Sequence, residues 1–333
     1  MADFGWDDTT KHDANFIERQ KNIVYEEMQN KMIDEFVNNE SDTIHQLYED
    51  QNGGSARAQM NNMEGYMNEV YSYEHTGKNI NGDDVTLYSK VHEIGFAPGR
   101  DGIEITGVVK STNGDIAGEF QRTMYKENGV WMVEHDIFQM SDEYKGTGFG
   151  TGFIQQQEDW YTARGFGAIV VGTAWDGARH WARAGYDWHP DHVSSNIKAI
   201  ATEAGYSNEF AKGTENRKIF DSIMSRAVEG YQPDVSWSTQ ISNGVKFKPI
   251  TNDDFPLPND FATIGIANKT RDSEGVSQWG GKSLMDGLHL KYQKVLTAEG
   301  RSVIEGPIDR DGDGLVYDGT AREKPAPTVN STP

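Results

Sequence analysis

Lys145-Gly-Thr-Gly-Phe-Gly-Thr-Gly152 stands between two stretches of different hydrophobic period, and the change of period across it decides the fold. Before it, apolar residues recur at every second position. Val85, Leu87 and Val91 form one run, Ile103-Glu-Ile-Thr-Gly-Val-Val109 another, and Gly118–Tyr125 and Val130–Met140 two more. Successive side chains of a strand point to opposite faces, so a period of two predicts strands. Asn113-Gly114 and Asn128-Gly129 separate the runs, and Asn-Gly supplies the positive φ angles of tight hairpins. The pattern predicts an antiparallel meander. After the glycines the residues from about Phe153 to Ala163 read as a helix, ended by Gly165. Ala168-Ile-Val-Val-Gly-Thr173 reads as a strand buried on both faces, and a short helix from about Asp176 to Arg183 follows. Gly185-Tyr-Asp-Trp188 closes the unit.

A glycine-rich turn that opens a helix offers free backbone N–H groups at a positive helix end, which suits an anion. Glycines also serve tight turns, so the spacing alone is weak. A dinucleotide-binding domain would open on a parallel βαβ unit, and the antiparallel meander argues against it. A nucleotide-binding P-loop would need Gly-Lys-Ser/Thr, which is missing here.

Meander, glycine turn, helix, buried strand, short helix and a Gly-aromatic step follow one another in the order of the GNAT N-acetyltransferase fold, which this stretch resembles. The family's pyrophosphate motif is Gln/Arg-x-x-Gly-x-Gly/Ala. The chain has Lys145-Gly-Thr-Gly148-Phe149-Gly150, with lysine in the first place. The resemblance implies an acetyl-CoA site, with Lys145 and the backbone around Gly148, Phe149, Gly150 and Thr151 holding the pyrophosphate. Trp181-Ala-Arg-Ala-Gly185-Tyr186 is similar to the family's later Tyr-x-x-x-Gly-Phe signature, but Trp181 replaces the tyrosine often used as general acid. An indole cannot deliver a proton at neutral pH. The usual base is a carboxylate on the strand before the turn. Glu134 and Asp136 occupy that strand on one face, His135 faces the other way, and His180 adjoins Trp181. Glu134, Asp136 and His180 are the candidate bases; a charged strand face is equally what a solvated strand shows. The expected class is α+β, a GNAT-like mixed sheet with flanking helices and with helical extensions at both ends. The boundaries read as a helical extension over 1–80, the GNAT-like domain over 81–192, a helical and irregular region over 193–300, and a loop and tail over 301–333.

The N-terminal extension carries a Met-rich helical stripe from about His12 to Asp50. It packs on its own domain or docks on another subunit, and a homo-oligomer is one outcome. Two helices are predicted over about 193–204 and 215–229, and a last one from Lys282 to Leu296. Near the C-terminus, Asp309, Asp311 and Asp313 stand at positions 1, 3 and 5 of a DxDxDG loop, where carboxylates converge on a hard cation. Leu315 would add a carbonyl and Asp318 would close the shell around Ca2+. Position 12 is Thr320 where an EF-hand has glutamate, and an acidic Gly-rich turn is the bland alternative.

The formal net charge of −21 repels a phosphate backbone, so direct nucleic-acid binding is not expected. With no cysteine, disulfides, thiolate metal sites and cysteine nucleophiles drop out together. No apolar run reaches membrane-spanning length, and the first residues are polar, so neither a membrane nor a secretory signal is expected. The glycine turn with the Trp181 region, the segment Gln278-Trp-Gly-Gly-Lys-Ser-Leu-Met285, and the acidic terminal loop together resemble modules of head-associated, minor capsid proteins of tailed phages infecting actinobacteria. That resemblance implies a virion protein, present in the host cytoplasm during assembly, with capsid or connector proteins as partners. The GNAT-like domain would then be a scaffold or ligand module, possessing the fold without catalysis. The alternative is an active acyl-CoA-dependent N-acetyltransferase, which an acidic surface would supply with cationic amines. A calcium-dependent adhesion protein is a third, weaker reading.

Overall fold

The alternating runs become strands and the stretch after the glycines becomes a helix. In the computed structural model the described residues are 67–68, 70–97, 102–174, 176–273 and 277–304. They fall into two compact units: Met1–Lys126 with Asp136–Gly165, and Glu127–His135 with Phe166–Pro333. The Met-rich N-terminal stripe and the acidic C-terminal loop lie outside the described residues.

The first unit holds strands β1 (Glu74–Lys78), β2 (Asp84–Phe96), β3 (Gly102–Ser111) and β4 (Ile116–Glu127), followed by β5 (Val130–Met140), whose second half belongs here. Their order in the sheet is their order in the chain, and β1 to β4 pair antiparallel. Gly114 (φ 93°) and the pair Asn128 (φ 50°) and Gly129 (φ 84°) turn the hairpins, as Asn-Gly predicts. Helix α1 (Phe149–Ala163) buries Phe149, Phe153, Ile154, Gln157 and Tyr161. Phe153 meets the rings of Phe120 (5.1 Å) and Phe138 (5.8 Å), both from the sheet. Burying each such ring contributes about 1.5–3 kcal/mol. Within this apolar layer lies Arg122, fully buried. Its Nε donates to Gln157 Oε1 at 2.9 Å and its Nη1 to the carbonyls of Gln121 and Ile137. Its guanidinium stands 5.7–5.9 Å from the centres of Phe120, Phe138 and Phe153. The Tyr71 and Tyr161 hydroxyls share a hydrogen bond of 2.8 Å, and burial pushes the Tyr161 hydroxyl up to about 12.

In the second unit the first half of β5 pairs parallel with β6 (Ala168–Gly172), from Met132 opposite Ala168 to His135 opposite Val171. Parallel neighbours need a long crossover, which the chain makes through the glycine turn and α1. β6 is buried at four of its five positions, as its unbroken apolar run predicts. Then come α2 (Gly177–Arg183), β7 (Asp187–Trp188), α3 (Val193–Tyr206), α4 (Glu215–Ala227), α5 (Trp237–Ser242) and α6 (Pro258–Ala262). A ribbon of β8 (Thr270–Arg271) and β9 (Ser277–Gln278), then α7 (Gly280–Met285), β10 (Lys291–Val295) and α8 (Ala298–Ile304) complete it. The helix predicted over Lys282–Leu296 stops at Met285. β10 takes its second half and runs antiparallel to both β6 and β7, so the order is β5-β6-β10-β7. Leu288, Leu290, Tyr292 and Leu296 follow a period of two, and pairing on both sides outweighs local helix preference. The molecule thus has a mixed, mostly antiparallel sheet with flanking helices.

Candidate functional site

The glycine turn lies in the first unit. After β5 a single 3-10 turn, Asp142–Tyr144, leads to α1, whose N-cap is Gly148 in the left-handed region (φ 91°). The structure brings together Lys145, Gly148, Phe149, Gly150 and Thr151 at this helix start. The first-turn N–H groups of Gly150 and Thr151 have no intrahelical acceptor, the N-cap Gly148 has no side chain to offer, and the Thr147 hydroxyl oxygen accepts from the Phe149 N–H at 3.4 Å. Lys145 Nζ pairs with Asp142 at 2.9 Å. Phe149 is buried, edge-on to Tyr73 at 5.2 Å.

Neighbouring groups lie hard against these glycines. His75 Nε2 is 2.9 Å from the Thr147 carbonyl oxygen. A Cβ on Gly77 would stand 2.1 Å from that same oxygen, one on Gly150 would stand 2.8 Å from the Phe138 ring, and one on Gly152 would stand 1.8 Å from the Tyr73 hydroxyl. Close packing of β1 and its lead-in therefore requires small residues here, with or without a ligand. Sequence reasoning passed over Tyr73, His75 and Gly77. The only trace they leave is a glycine inside the short strand run Glu74–Lys78, which signals a close backbone approach.

Of the candidate bases, Glu134 belongs to the second unit and is buried on β5. Lys291 of β10 crosses the neighbouring strand to reach it, Nζ to Oε1 at 2.7 Å. Gly172 of β6 lies beneath the lysine: a Cβ there would be 3.4 Å from Lys291 Cε and Nζ. The sequence reading placed Lys291 in a helix and so missed it; the Leu288–Leu296 alternation was the available signal. His135, on the other face of β5, meets Trp181 of α2 edge-on at 5.5 Å. Alternation therefore turns Glu134 away from α2, and the structure does not bring Glu134 and His180 together. Asp136 lies in the first unit, exposed, accepting from the Thr123 hydroxyl at 2.8 Å.

His180 sits on α2 with its ring edge-on to Trp181 at 5.7 Å. Burial lowers its affinity for a proton, and Arg179 and Arg183 lower it further, against a smaller opposite pull from Asp176. Trp181 is buried between His135 and Tyr186, so the residue at the tyrosine's place is a core side chain. The Gln278–Met285 segment is also a packing junction. The Trp279 indole donates to the Ala262 carbonyl at 2.9 Å, and Arg179 lies over its ring at 5.1 Å. Arg179 pairs with Asp286 at 3.0 Å, whose carboxyl burial pushes up. The metal candidates Asp309, Asp311, Asp313, Leu315 and Asp318 lie outside the described residues. Among the described residues no group of three or more His, Asp or Glu side chains could hold a metal ion.

No protein-family model matches the sequence, and no curated protein matches it. Among solved structures, one similar chain is described as a GCN5-related glucosamine N-acetyltransferase region in a fungal multi-domain GH3 beta-N-acetylglucosaminidase. It is 15% identical with a TM-score of 0.23, and the match covers 25% of this chain and 12% of that one. Another is nourseothricin acetyltransferase, 14% identical with a TM-score of 0.22, covering 35% of this chain and 70% of that one. Neither match is extensive enough to bear on what this chain does.

Proposed function

We infer that the chain carries a GNAT-type domain that keeps the fold and has given up turnover on free amines, serving as a ligand or scaffold module of a tailed-phage head. The observation behind this reading is the Lys291–Glu134 ion pair at 2.7 Å. A base must present a lone pair to its substrate, and this carboxylate already holds an ammonium. Trp181 in place of the acidic tyrosine agrees with it. The glycine turn keeps a helix start with a glycine N-cap, which suits the pyrophosphate of acetyl-CoA. The reading includes capsid or connector proteins as partners, assembly in the host cytoplasm, and calcium in the Asp309–Asp318 loop. The net charge of −21 supports the absence of direct nucleic-acid binding. No helix among the described residues is long and apolar enough to cross a membrane.

Calorimetry of acetyl-CoA with the full chain, followed by turnover assays on lysine-bearing proteins, tests the first half. Heat without turnover is expected; sustained turnover overturns it in favour of an active N-acetyltransferase. Mass spectrometry of density-purified particles from an infected actinobacterial culture tests the second. Peptides of this chain confined to the soluble fraction reject the virion assignment.

A further inference from the structure

Burial of the carboxylate sets Glu134 apart from the other acidic partners of lysine. Among the described residues, the carboxylates paired with Lys78, Lys145, Lys212 and Lys218 are 67–92% exposed, whereas Glu134 is 11% exposed. On the open surface water holds each charge whether or not its partner is there. At Glu134 water does so poorly, so a carboxylate left there without a cation is strongly destabilising. The Lys291 ammonium supplies that cation at 2.7 Å. The two ends of the pair also differ. The Lys291 side chain is 36% exposed, so its stem marks a path from solvent down to the buried carboxylate. Gly172 of β6 floors this path: a Cβ there would stand 3.4 Å from Lys291 Cε and Nζ. A narrow path that opens to solvent, runs over a glycine and ends on a buried carboxylate has the shape and charge to take a primary alkylammonium ion.

We propose that Glu134 is the base of a binding site for a primary alkylammonium ion, and that Lys291 fills this site from within as an autoinhibitory side chain. The proposal rests on the GNAT-type reading, in which an amine is the group to be acylated, and it names what keeps such an amine out. A tethered occupant competes at a high effective concentration, so an amine free in solution does not displace it. Removing the Lys291 stem and ammonium opens the path and leaves Glu134 uncompensated. The site then takes its cation from solution.

The test is urea titration of the full chain carrying Lys291→Ala, in ethylamine hydrochloride at neutral pH. The same concentrations of sodium chloride, tetramethylammonium chloride and ethanol serve as comparisons. Without additive the variant should unfold at lower urea than wild type. Ethylammonium should raise its midpoint, the folding equilibrium shifting about tenfold for each tenfold rise in amine beyond the dissociation constant. Tetramethylammonium brings charge without an N–H donor, and ethanol brings a donor without charge; neither should reproduce the shift, and wild type should not respond to the amine. An ethylammonium effect no larger than that of sodium overturns the proposal. So does a Lys291→Ala chain that stays unfolded in ethylammonium, because the amine should restore what the lysine supplied. Adding Glu134→Gln to Lys291→Ala removes the buried charge, and an amine response that survives this change overturns the proposal as well. Calorimetry of acetyl-CoA with Lys291→Ala separates the two levels of inference. Acetyl-CoA binding without an amine response leaves the GNAT-type reading standing and sinks this one. An amine response without acetyl-CoA binding keeps the ammonium site and rejects its place in an acetyltransferase-type domain.

Discussion

Gly77→Ala separates a glycine turn shaped by packing from one shaped by a ligand. The new Cβ would stand 2.1 Å from the Thr147 carbonyl oxygen and 3.0 Å from its carbon, where real Cβ atoms keep about 3.0 Å or more. Strand or turn must therefore move by about 0.9 Å. The turn resists, because Thr147 is buried and its hydroxyl donates to the Tyr144 carbonyl at 3.0 Å. The strand is the freer party, since among the described residues β1 is the sheet edge and pairs with β2 alone. Moving it loses the 2.9 Å contact from His75, two residues earlier on the same face. Overpacking costs about 1–3 kcal/mol and a lost hydrogen bond about 0.5–1.5 kcal/mol. Alanine's advantage over glycine in a strand returns about 0.5–1 kcal/mol. The net loss is about 1–3 kcal/mol. Gly95→Ala is the control, because its Cβ meets nothing within 4 Å and its φ is ordinary; it should be neutral or slightly stabilising. Urea titration followed by circular dichroism reads both as midpoint shifts at constant slope. A Gly77→Ala midpoint no lower than that of Gly95→Ala would refute the packing account, and the glycines would then need a ligand to explain them.

Arg122→Met should cost about 3 kcal/mol or more in the same assay, because it removes charge-assisted hydrogen bonds and strands the Gln157 and Ile137 acceptors in an apolar layer; a loss under about 1 kcal/mol contradicts that role. His180 binds a proton less readily folded than unfolded, mainly through burial. Its contribution is therefore present above the unfolded value of 6.5 and is lost as pH falls below it. His180→Gln should flatten the stability profile on the acid side of 6.5, and parallel profiles for variant and wild type would reject this. Calcium titrated into the full chain should give a saturable heat that Asp311→Ala abolishes, and no heat at millimolar calcium removes the loop as a site. If any turnover on a free amine is found, Glu134→Gln should lower it by roughly two to four orders of magnitude, and an unchanged rate takes Glu134 out of the chemistry.

Much of the architecture is local and could be read from the chain. The period of two marked the strands from β2 to β5; β3 alternates in burial along most of its length, while β5 is buried at every position from Trp131 to His135. Asn113-Gly114 and Asn128-Gly129 turn hairpins because Gly114, Asn128 and Gly129 adopt positive φ. The unbroken apolar run at Ala168–Val171 marked β6, since a strand with neighbours on both sides and layers on both faces tolerates no polar position. Alternation also placed Glu134 and His135 on opposite faces. Each of these follows from residues within a few positions of one another.

What the chain could not disclose depends on partners far away in sequence. Glu134 and Lys291 are 157 residues apart, and no local pattern tells a carboxylate which ammonium will reach it. The segment from Lys282 to Leu296 satisfies a helical period and a strand period together, and only the slot between β6 and β7 decides for β10. The glycines of the turn permit an anion and permit close packing equally well; β1, more than sixty residues upstream, lies on Thr147 and gives them a packing role. Sequence determined which face each side chain takes, because that is set by backbone geometry. Tertiary structure alone decided what meets that face, because contact energies belong to pairs of residues that the chain brings together only on folding.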